Sequence, residues 1–228
     1  MSVQFCCLAS NHGEIERAVP TLVHYTPNLA VGFTIVARAG VLLGAESEAT
    51  ARALLEAGVS KVYVGEAAVL DASVMNRLLK RFGGERVGLH VPVARQAVNW
   101  SFDTDSNADF SVVTPSLCAP AWEVLRASGA PAGLLANGWI DQMVRHGVQS
   151  VLLRVDIRDD ADLNLCAGMV EMLGDKLWLA PLLDRDPAIT DWIRYGQATQ
   201  LALPAALYCR RHELLPRTDN AAAGTAVT

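Results

Sequence analysis

One pattern of apolar and polar positions recurs along the chain: an amphipathic stretch with helical spacing, a glycine, and a short apolar run. The clearest copies are ALLEAGVSKVYVG (53–65) and QMVRHGVQSVLLR (142–154), and looser copies occupy 79–91 and 192–204. The glycine is typical of the residue that ends a helix. The apolar run is typical of a strand that is covered on both faces, as in a parallel sheet. Repeated units of this kind predict a barrel or a doubly wound sheet.

The same pattern predicts the positions of the individual elements. Strands are predicted near residues 3–9, 30–36, 41–45, 61–65, 86–92, 110–114, 149–155, 177–183 and 198–203. Helices are predicted near residues 13–24, 47–57, 71–82, 117–128, 134–146, 162–173 and 187–195.

The fold class that follows is α/β, a (β/α)8 TIM-like barrel. Residues 1–216 are expected to form one such domain, and residues 217–228 a disordered tail because they lack apolar periodicity. Residues 1–45 have no room for three full strand–helix units, so the N-terminal quarter is expected to be distorted or incomplete. The segments 30–36 and 41–45 leave two alternatives open, a hairpin arm or one long strand.

Composition agrees with one large buried core. The chain has 228 residues, of which 51% are hydrophobic and 19% are charged, and about 250 residues are typical of a one-domain α/β barrel. The net charge of −5 comes without a basic stripe, so no nucleic-acid partner is expected.

Membrane attachment, secretion and metal binding are not expected either. The first residues lack the pattern of a signal peptide, and no apolar run approaches the roughly 20 residues of a spanning helix. The five cysteines show no CxxC spacing and the five histidines are isolated. A cytoplasmic protein with reduced cysteines, no metal and no cofactor is therefore predicted.

Residues 41–100 contain a more specific pattern. A strand ends in glycine before a helix, the next strand enters a G-x-A-A-V turn from Gly65 to Val69, and a later strand leads into R-x-A-x…W from Arg95 to Trp100. This stretch resembles the phosphoribosylformimino-AICAR ribotide isomerase family of histidine biosynthesis and its cyclase sister. Residues 138–160 resemble the fifth helix and sixth strand of the same family. The resemblance implies a (β/α)8 barrel, although a fold alone does not fix a function.

The residues that the family uses for chemistry differ in this chain. Family members have one acidic residue on the first strand and another at the end of the fifth, acting as general acid and base. Here the first strand reads VQFCCLAS, and the fifth-strand position is His90. The resemblance therefore implies the fold of the isomerase without its acid–base pair.

The family's phosphate-binding loops also differ. Family members hold two phosphates on glycine-rich loops after strands three, four, seven and eight. The corresponding loops here are GAES (44–47), GEAA (65–68), LLDRDP (182–187) and ALPAAL (202–207). A carboxylate such as Glu66 beside a phosphate repels it by about 1 kcal/mol or more at partly buried distances.

Six polar residues follow or end predicted strands and are candidates for a site at the mouth of the barrel. The predicted catalytic residues are His90, Asp156 and Asp184, and the predicted ligand-binding residues are Arg185, Arg95 and Glu66. His90 would transfer a proton or direct a hydrogen bond, and Arg185 would bind an anion. Structural roles stay open as alternatives, such as a strand-end hydrogen bond for His90 and a helix-dipole partner for Glu66.

The sequence supports a divergent barrel that binds or converts a small molecule in a biosynthetic pathway, with the ribotide isomerase activity lost. A narrower hypothesis places it in tetrahydromethanopterin or methanofuran one-carbon cofactor biosynthesis, because isomerase-like paralogues are associated with these pathways in methylotrophic bacteria. The alternatives are a non-catalytic subunit or scaffold and a retained histidine-biosynthesis isomerase. The expected partner is a small molecule at the C-terminal face, and a homo-oligomer is left open. Whether the chain is an enzyme is left open too; an active form would be isomerase- or lyase-like.

Overall fold

The computed structural model describes residues 2–10, 19–27, 39–96 and 119–216. The strands are β1 (Gln4–Ala9), β2 (Thr21–His24), β3 (Gly40–Leu42), β4 (Lys61–Val64), β5 (Val87–Arg95), β6 (Trp122–Leu125), β7 (Pro131–Leu135), β8 (Val151–Arg154), β9 (Leu177–Ala180) and β10 (Gln200–Pro204). The helices are α1 (Glu48–Glu56), α2 (Glu66–Leu70), α3 (Ser73–Phe82), α4 (Ala136–Arg145), α5 (Asp160–Leu173), α6 (Ile189–Arg194) and α7 (Ala205–Cys209).

Eight of these strands form a closed, all-parallel barrel. Its order is β1–β2–β3–β4–β5–β8–β9–β10, and β10 pairs with β1 to close it. The register places Gln4 opposite Gln200 at the closure and His90 opposite Leu152 on the far side. The (β/α)8 barrel predicted from the helix–glycine–strand repeat is therefore confirmed.

Side chains alternate between the inside of the barrel and the surface that the helices cover, because successive residues of a strand point to opposite faces. The interior cluster consists of small and medium apolar residues with one tyrosine: Cys6, Leu8, Leu22, Leu42, Tyr63, Leu152, Ala180 and Ala202. The hydroxyl of Tyr63 lies 2.8 Å from that of Ser150, and a Cβ at Gly88 would lie 2.6 Å from the Tyr63 ring. Side chains therefore fill the interior of the barrel, and space for a ligand is found beyond this packed interior, at the end of the barrel.

A hairpin interrupts the helix–strand alternation after β5. The strand continues beyond the barrel to Arg95 and pairs antiparallel with β6, which pairs antiparallel with β7. Trp122 of β6 is buried and donates a hydrogen bond from Nε1 to Oδ1 of Asp162, at 2.9 Å. Asp162, near the start of α5, also accepts from Nε of Arg95 at 3.1 Å and from the backbone N–H of Arg158 at 3.0 Å. This carboxylate thus fastens the hairpin to the barrel.

Two predicted helices are wrong in whole or in part. The helix predicted over 117–128 is replaced, in its described residues, by β6 and the beginning of a turn. In β6 the buried residues Trp122 and Val124 alternate with less buried neighbours, which is the period of a strand. Gly129, with φ of +84°, allows the tight turn that follows. The last four residues of the helix predicted over 13–24 form β2 instead.

Several expectations fall on residues that are not described. The strands predicted near 30–36 and 110–114 and the tail 217–228 lie outside the described residues. The expectation of a distorted or incomplete N-terminal quarter covers residues 1–45, of which 11–18 and 28–38 lie outside the described residues. In the described part, β1, β2 and β3 are all strands of the barrel. Among the described helices, none combines the length and apolar character needed to span a bilayer.

Candidate functional site

A cavity of about 500 Å³ opens at the carboxyl ends of the barrel strands. Its wall consists of the ends of β2, β3, β4, β5 and β8, the loop after β9, and the turn of the β6–β7 hairpin. The polar and charged side chains in its lining are His24, Glu66, His90, Arg126, Ser128 and Arg154. Barrels of this class place their chemistry at this end, and a volume of roughly 300–1,000 Å³ is usual for a small-molecule site. This mouth cavity is the candidate functional site.

His90 is a fixed hydrogen-bond acceptor in the mouth cavity. Its side chain points to the barrel interior from β5, is only 6% exposed, and places Nδ1 at 2.8 Å from the carbonyl oxygen of Leu43. A carbonyl can only accept, so the proton is on Nδ1 and Nε2 has a free lone pair. Among the described residues, Nε2 has no hydrogen-bond partner. Burial lowers the pKa of His90 to about 3, against the opposing effect of the Leu43 hydrogen bond, so the ring is neutral.

The position of Leu43 itself depends on a close approach of two backbones. A Cβ at Gly65 would lie 2.4 Å from the Leu43 carbonyl oxygen, so only glycine fits between the ends of β3 and β4 without displacing that oxygen. The G-x-A-A-V turn that the sequence indicates therefore helps to orient His90.

Arg154 brings a positive charge to the mouth cavity. Its Nε and Nη2 donate to the carbonyl oxygen of Pro181 at 3.2 and 3.1 Å, and Nη2 donates to that of Leu182 at 2.7 Å. Burial lowers its pKa, with Asp156 acting in the opposite direction; an arginine nevertheless stays charged at neutral pH. No carboxylate in the described part of the chain forms an ion pair with it. The charge is therefore oriented by neutral carbonyls.

His24 completes the polar end of the barrel interior. Its Nε2 lies 3.4 Å from Nη1 of Arg154, and its ring centroid lies 6.2 Å from that of His90 in an edge-to-face arrangement. Burial, and then the charge of Arg154, lowers the pKa of His24 to about 4. Two neutral imidazoles and one guanidinium therefore share the floor of the cavity.

Sequence reasoning finds His90 but neither His24 nor Arg154. The signal that could find them is the period of two: His24 follows Leu22 by two residues and Arg154 follows Leu152 by two, and both leucines face the barrel interior. A polar residue at that position of a parallel strand points to the mouth.

The six candidates from the sequence fall into three groups. His90 and Glu66 line the mouth cavity. Asp156 and Arg95 line a neighbouring cavity of about 310 Å³. Asp184 and Arg185 are exposed on the loop after β9 and line neither of these two cavities. The structure thus brings the candidates together in pairs, and their catalytic or binding roles stay predictions.

Arg95 is already engaged by carboxylates of this chain. It forms ion pairs with Asp159 and with Asp162, the latter at 2.8 Å, and the hydrogen bond from Arg95 is the main cause that lowers the pKa of Asp159 to about 2. An anionic ligand would have to compete with both. In the parts of the chain that the structure describes, no group of three histidine, cysteine or acidic residues could hold a metal ion.

Two mouth loops bind carboxylates of the chain itself through backbone N–H groups. The carboxylate of Asp156 accepts from the consecutive N–H groups of residues 182–184, after β9, at 2.9, 3.0 and 3.0 Å. Glu46 folds back after β3, so that its Oε2 accepts from the N–H of Gly44 at 2.6 Å. Backbone N–H groups that converge on an anion are also the means by which loops bind phosphate. In this chain, Asp156 and Glu46 already occupy these four N–H groups.

Stability is expected to fall as the pH drops below 6.5. Folded His90 and His24 have pKa values below the ordinary 6.5, so the unfolded chain binds more protons than the folded one between these values. Each of the two lowers the free energy of unfolding by up to about 1.4 kcal/mol per pH unit in this window, and the full stability is present above it. Urea denaturation at pH values between about 5 and 7 measures the slope.

The test variant is His90→Gln. The matched control is His212→Gln, since His212 is an exposed histidine. The first variant should have a shallower dependence on pH than the wild type, and the second should have the same dependence. Equal slopes for His90→Gln and the wild type would contradict the buried neutral imidazole.

A comparison with protein families gives a match. Residues 35–164, more than half of the chain, match the family model described as Histidine biosynthesis protein. The chain belongs to the histidine biosynthesis protein family. The matched residues run from before β3 to the first turn of α5 and include His90, Arg154 and the fastened hairpin. A search of curated proteins gave no match.

The polar residues at the mouth can be compared with those that the histidine biosynthesis protein family uses for its chemistry. The resemblance implies carboxylates on the first and fifth strands, but β1 ends in the apolar sequence CCLA (6–9) and β5 has His90. Among the described residues that line the mouth cavity, Glu66 is the one carboxylate. The described lining therefore contains no pair of carboxylates.

Proposed function

We propose that this chain is a divergent member of the family that binds a small molecule in the mouth cavity and has lost the ribotide isomerase activity. The observation that carries the proposal is the occupation of the mouth loops by Glu46 and Asp156. A phosphate that approached the same N–H groups would meet a carboxylate at about 4 Å, where two like charges repel by about 4 kcal/mol at an effective dielectric constant of 20. The two phosphates of the ribotide substrate therefore have no suitable positions on these loops.

The acid–base chemistry supports the same proposal. An isomerisation that needs both a general acid and a general base has, in the mouth cavity, Glu66 and two imidazoles whose pKa values are lowered to about 3 for His90 and about 4 for His24. Imidazoles with such low pKa values are weak bases, and at neutral pH they lack the extra proton that an imidazolium would donate as a general acid. They can accept or direct hydrogen bonds.

The non-catalytic scaffold is the second candidate, and the mouth cavity argues against it. A scaffold needs neither a cavity of about 500 Å³ nor a buried histidine whose Nε2 has no partner in the described residues. Buried polar atoms are usually satisfied, and an exception is often functional. The narrower proposal, a role in one-carbon cofactor biosynthesis, is tested by including pterin and furan compounds among the ligands.

A thermal-shift screen with phosphorylated, pterin and furan compounds tests ligand binding. A compound present at about 100 times its dissociation constant stabilises the folded state by about 2.7 kcal/mol. For a domain of this size that corresponds to a rise in Tm of roughly 5–10 °C. At least one compound is expected to give such a rise.

A variant that fills the mouth cavity provides the control. Ser128 lies on the exposed hairpin turn and lines the cavity, so Ser128→Trp should block the site without disturbing the core. The rise in Tm is expected to disappear in this variant. A rise that persists in Ser128→Trp, or no rise with any compound, contradicts the proposal and favours the scaffold.

A further inference from the structure

We infer that the ligand of the mouth cavity is a small organic anion that also has a hydroxyl or amine hydrogen. Arg154 and Arg126 bind its anionic group, and Nε2 of His90 accepts a hydrogen bond from its hydroxyl or amine. This inference rests on the proposed function and adds the chemical class of the ligand.

Arg154 is oriented for an anion. A guanidinium has five N–H donors, and the carbonyl oxygens of Pro181 and Leu182 take those of Nε and Nη2. The distance from Nη1 to Nε2 of His24 is 3.4 Å, which is longer than a good hydrogen bond. The second hydrogen of Nη1 stays available for an anion. Because the backbone fixes the guanidinium plane, little side-chain entropy is lost when an anion binds.

Arg126 supplies a second cation to the lining of the mouth cavity. It lies at the end of β6, where its N–H donates to the carbonyl of Ala130 at 2.8 Å and its carbonyl accepts from Gly129 at 2.9 Å, so the turn is closed. Its side chain is exposed and, in the described part of the chain, makes no ion pair. The described lining therefore contains two arginines against Glu66, an excess of one positive charge.

His90 supplies the complementary acceptor. Its Nδ1 is bound to Leu43, so the ring cannot turn to expose a donor, and Nε2 is left with a lone pair. The ring of His24 also presents no donor to it. A ligand hydrogen that reaches Nε2 would satisfy a buried acceptor that has no partner among the described residues, and a ligand without that hydrogen would leave it unsatisfied.

The anionic group can be a carboxylate or a phosphate monoester, because a guanidinium binds both. A set of small probe compounds distinguishes these two kinds of anionic group. D-glycerate and glycerol 3-phosphate have the anion and the hydroxyls, propionate and propyl phosphate lack the hydroxyls, and glycerol lacks the anion. Binding is followed by the ¹⁵N resonance of His90 Nε2 in histidine-labelled protein, up to about 10 mM probe, where even millimolar ligands are bound.

The expected result is that one hydroxylated anion binds on the order of tenfold more tightly than its counterpart without hydroxyls and moves the Nε2 resonance, whereas glycerol does not bind. Arg126→Gln should weaken this binding on the order of tenfold. Arg126 is exposed, so this variant should fold normally. The matched control is Arg145→Gln on α4, whose arginine does not line the mouth cavity and is 78% exposed; it should bind as the wild type does.

Three results would overturn the inference: equal binding with and without hydroxyls, no effect of Arg126→Gln, or no binding by any of the anions. If a neutral pterin or furan compound nevertheless raises Tm in a manner that Ser128→Trp abolishes, the proposed function stands and only the ligand class is wrong. If no compound of either experiment binds in the cavity, both fail.

Discussion

Replacement of Asp162 by alanine is expected to lower the free energy of unfolding by about 3 kcal/mol. The side chain of Asp162 is 3% exposed and accepts hydrogen bonds from Trp122 Nε1, Arg95 and the backbone N–H of Arg158. Its removal leaves the buried indole N–H of Trp122 without an acceptor and weakens the pairing of Arg95. Urea denaturation of the two proteins measures the difference.

Asp160→Ala is the matched control. Asp160 lies in the same first turn of α5 but is exposed, so its removal should change stability by no more than about 0.5 kcal/mol. Equal losses in the two variants, or a loss below about 1 kcal/mol for Asp162→Ala, would show that the hairpin is held by other contacts. Since the hairpin turn contributes Arg126 to the mouth cavity, Asp162→Ala should also weaken ligand binding.

The barrel is the part of the structure that the sequence predicts best. The repeat of helix, glycine and apolar run depends on local burial and on the cap of a helix, and both are visible in a window of about 13 residues such as 53–65. His90 is visible for a similar reason, because it is the single polar residue in the otherwise apolar run 87–94 of β5. Local patterns therefore predict the elements and one residue of the candidate site.

The other features depend on partners that are distant in sequence. Asp156 is recognisable as an acidic residue after a strand, but its acceptance of three N–H groups joins residues 26–28 positions apart. Trp122 meets Asp162 across 40 positions. The segment around Trp122 is ambiguous because its apolar residues fit a helix nearly as well as a strand, and the pairing with β5 decides the outcome.

The ribotide isomerisation is expected to proceed at least about 10²–10⁴ times more slowly with this chain than with a family isomerase that has the acidic residues of the first and fifth strands. That factor is the usual contribution of one general acid or base, and the carboxylates of Glu46 and Asp156 at the mouth loops further weaken substrate binding. Turnover of the purified protein, with a family isomerase as the positive control, measures the rate. A rate within about tenfold of the control would show that the chain keeps the isomerase activity and that Glu46 and Asp156 do not weaken substrate binding.

Complementation of an isomerase-deficient histidine auxotroph tests directly whether the chain has lost the isomerase activity, because growth requires both binding and turnover of the ribotide. The chain and a family isomerase are expressed in the same strain, and immunoblotting verifies that both accumulate in soluble form. Growth without histidine is expected for the family isomerase, and no growth is expected for this chain. Growth supported by this chain would contradict the loss of isomerase activity, since it would require a site that still binds both phosphates and still supplies an acid and a base.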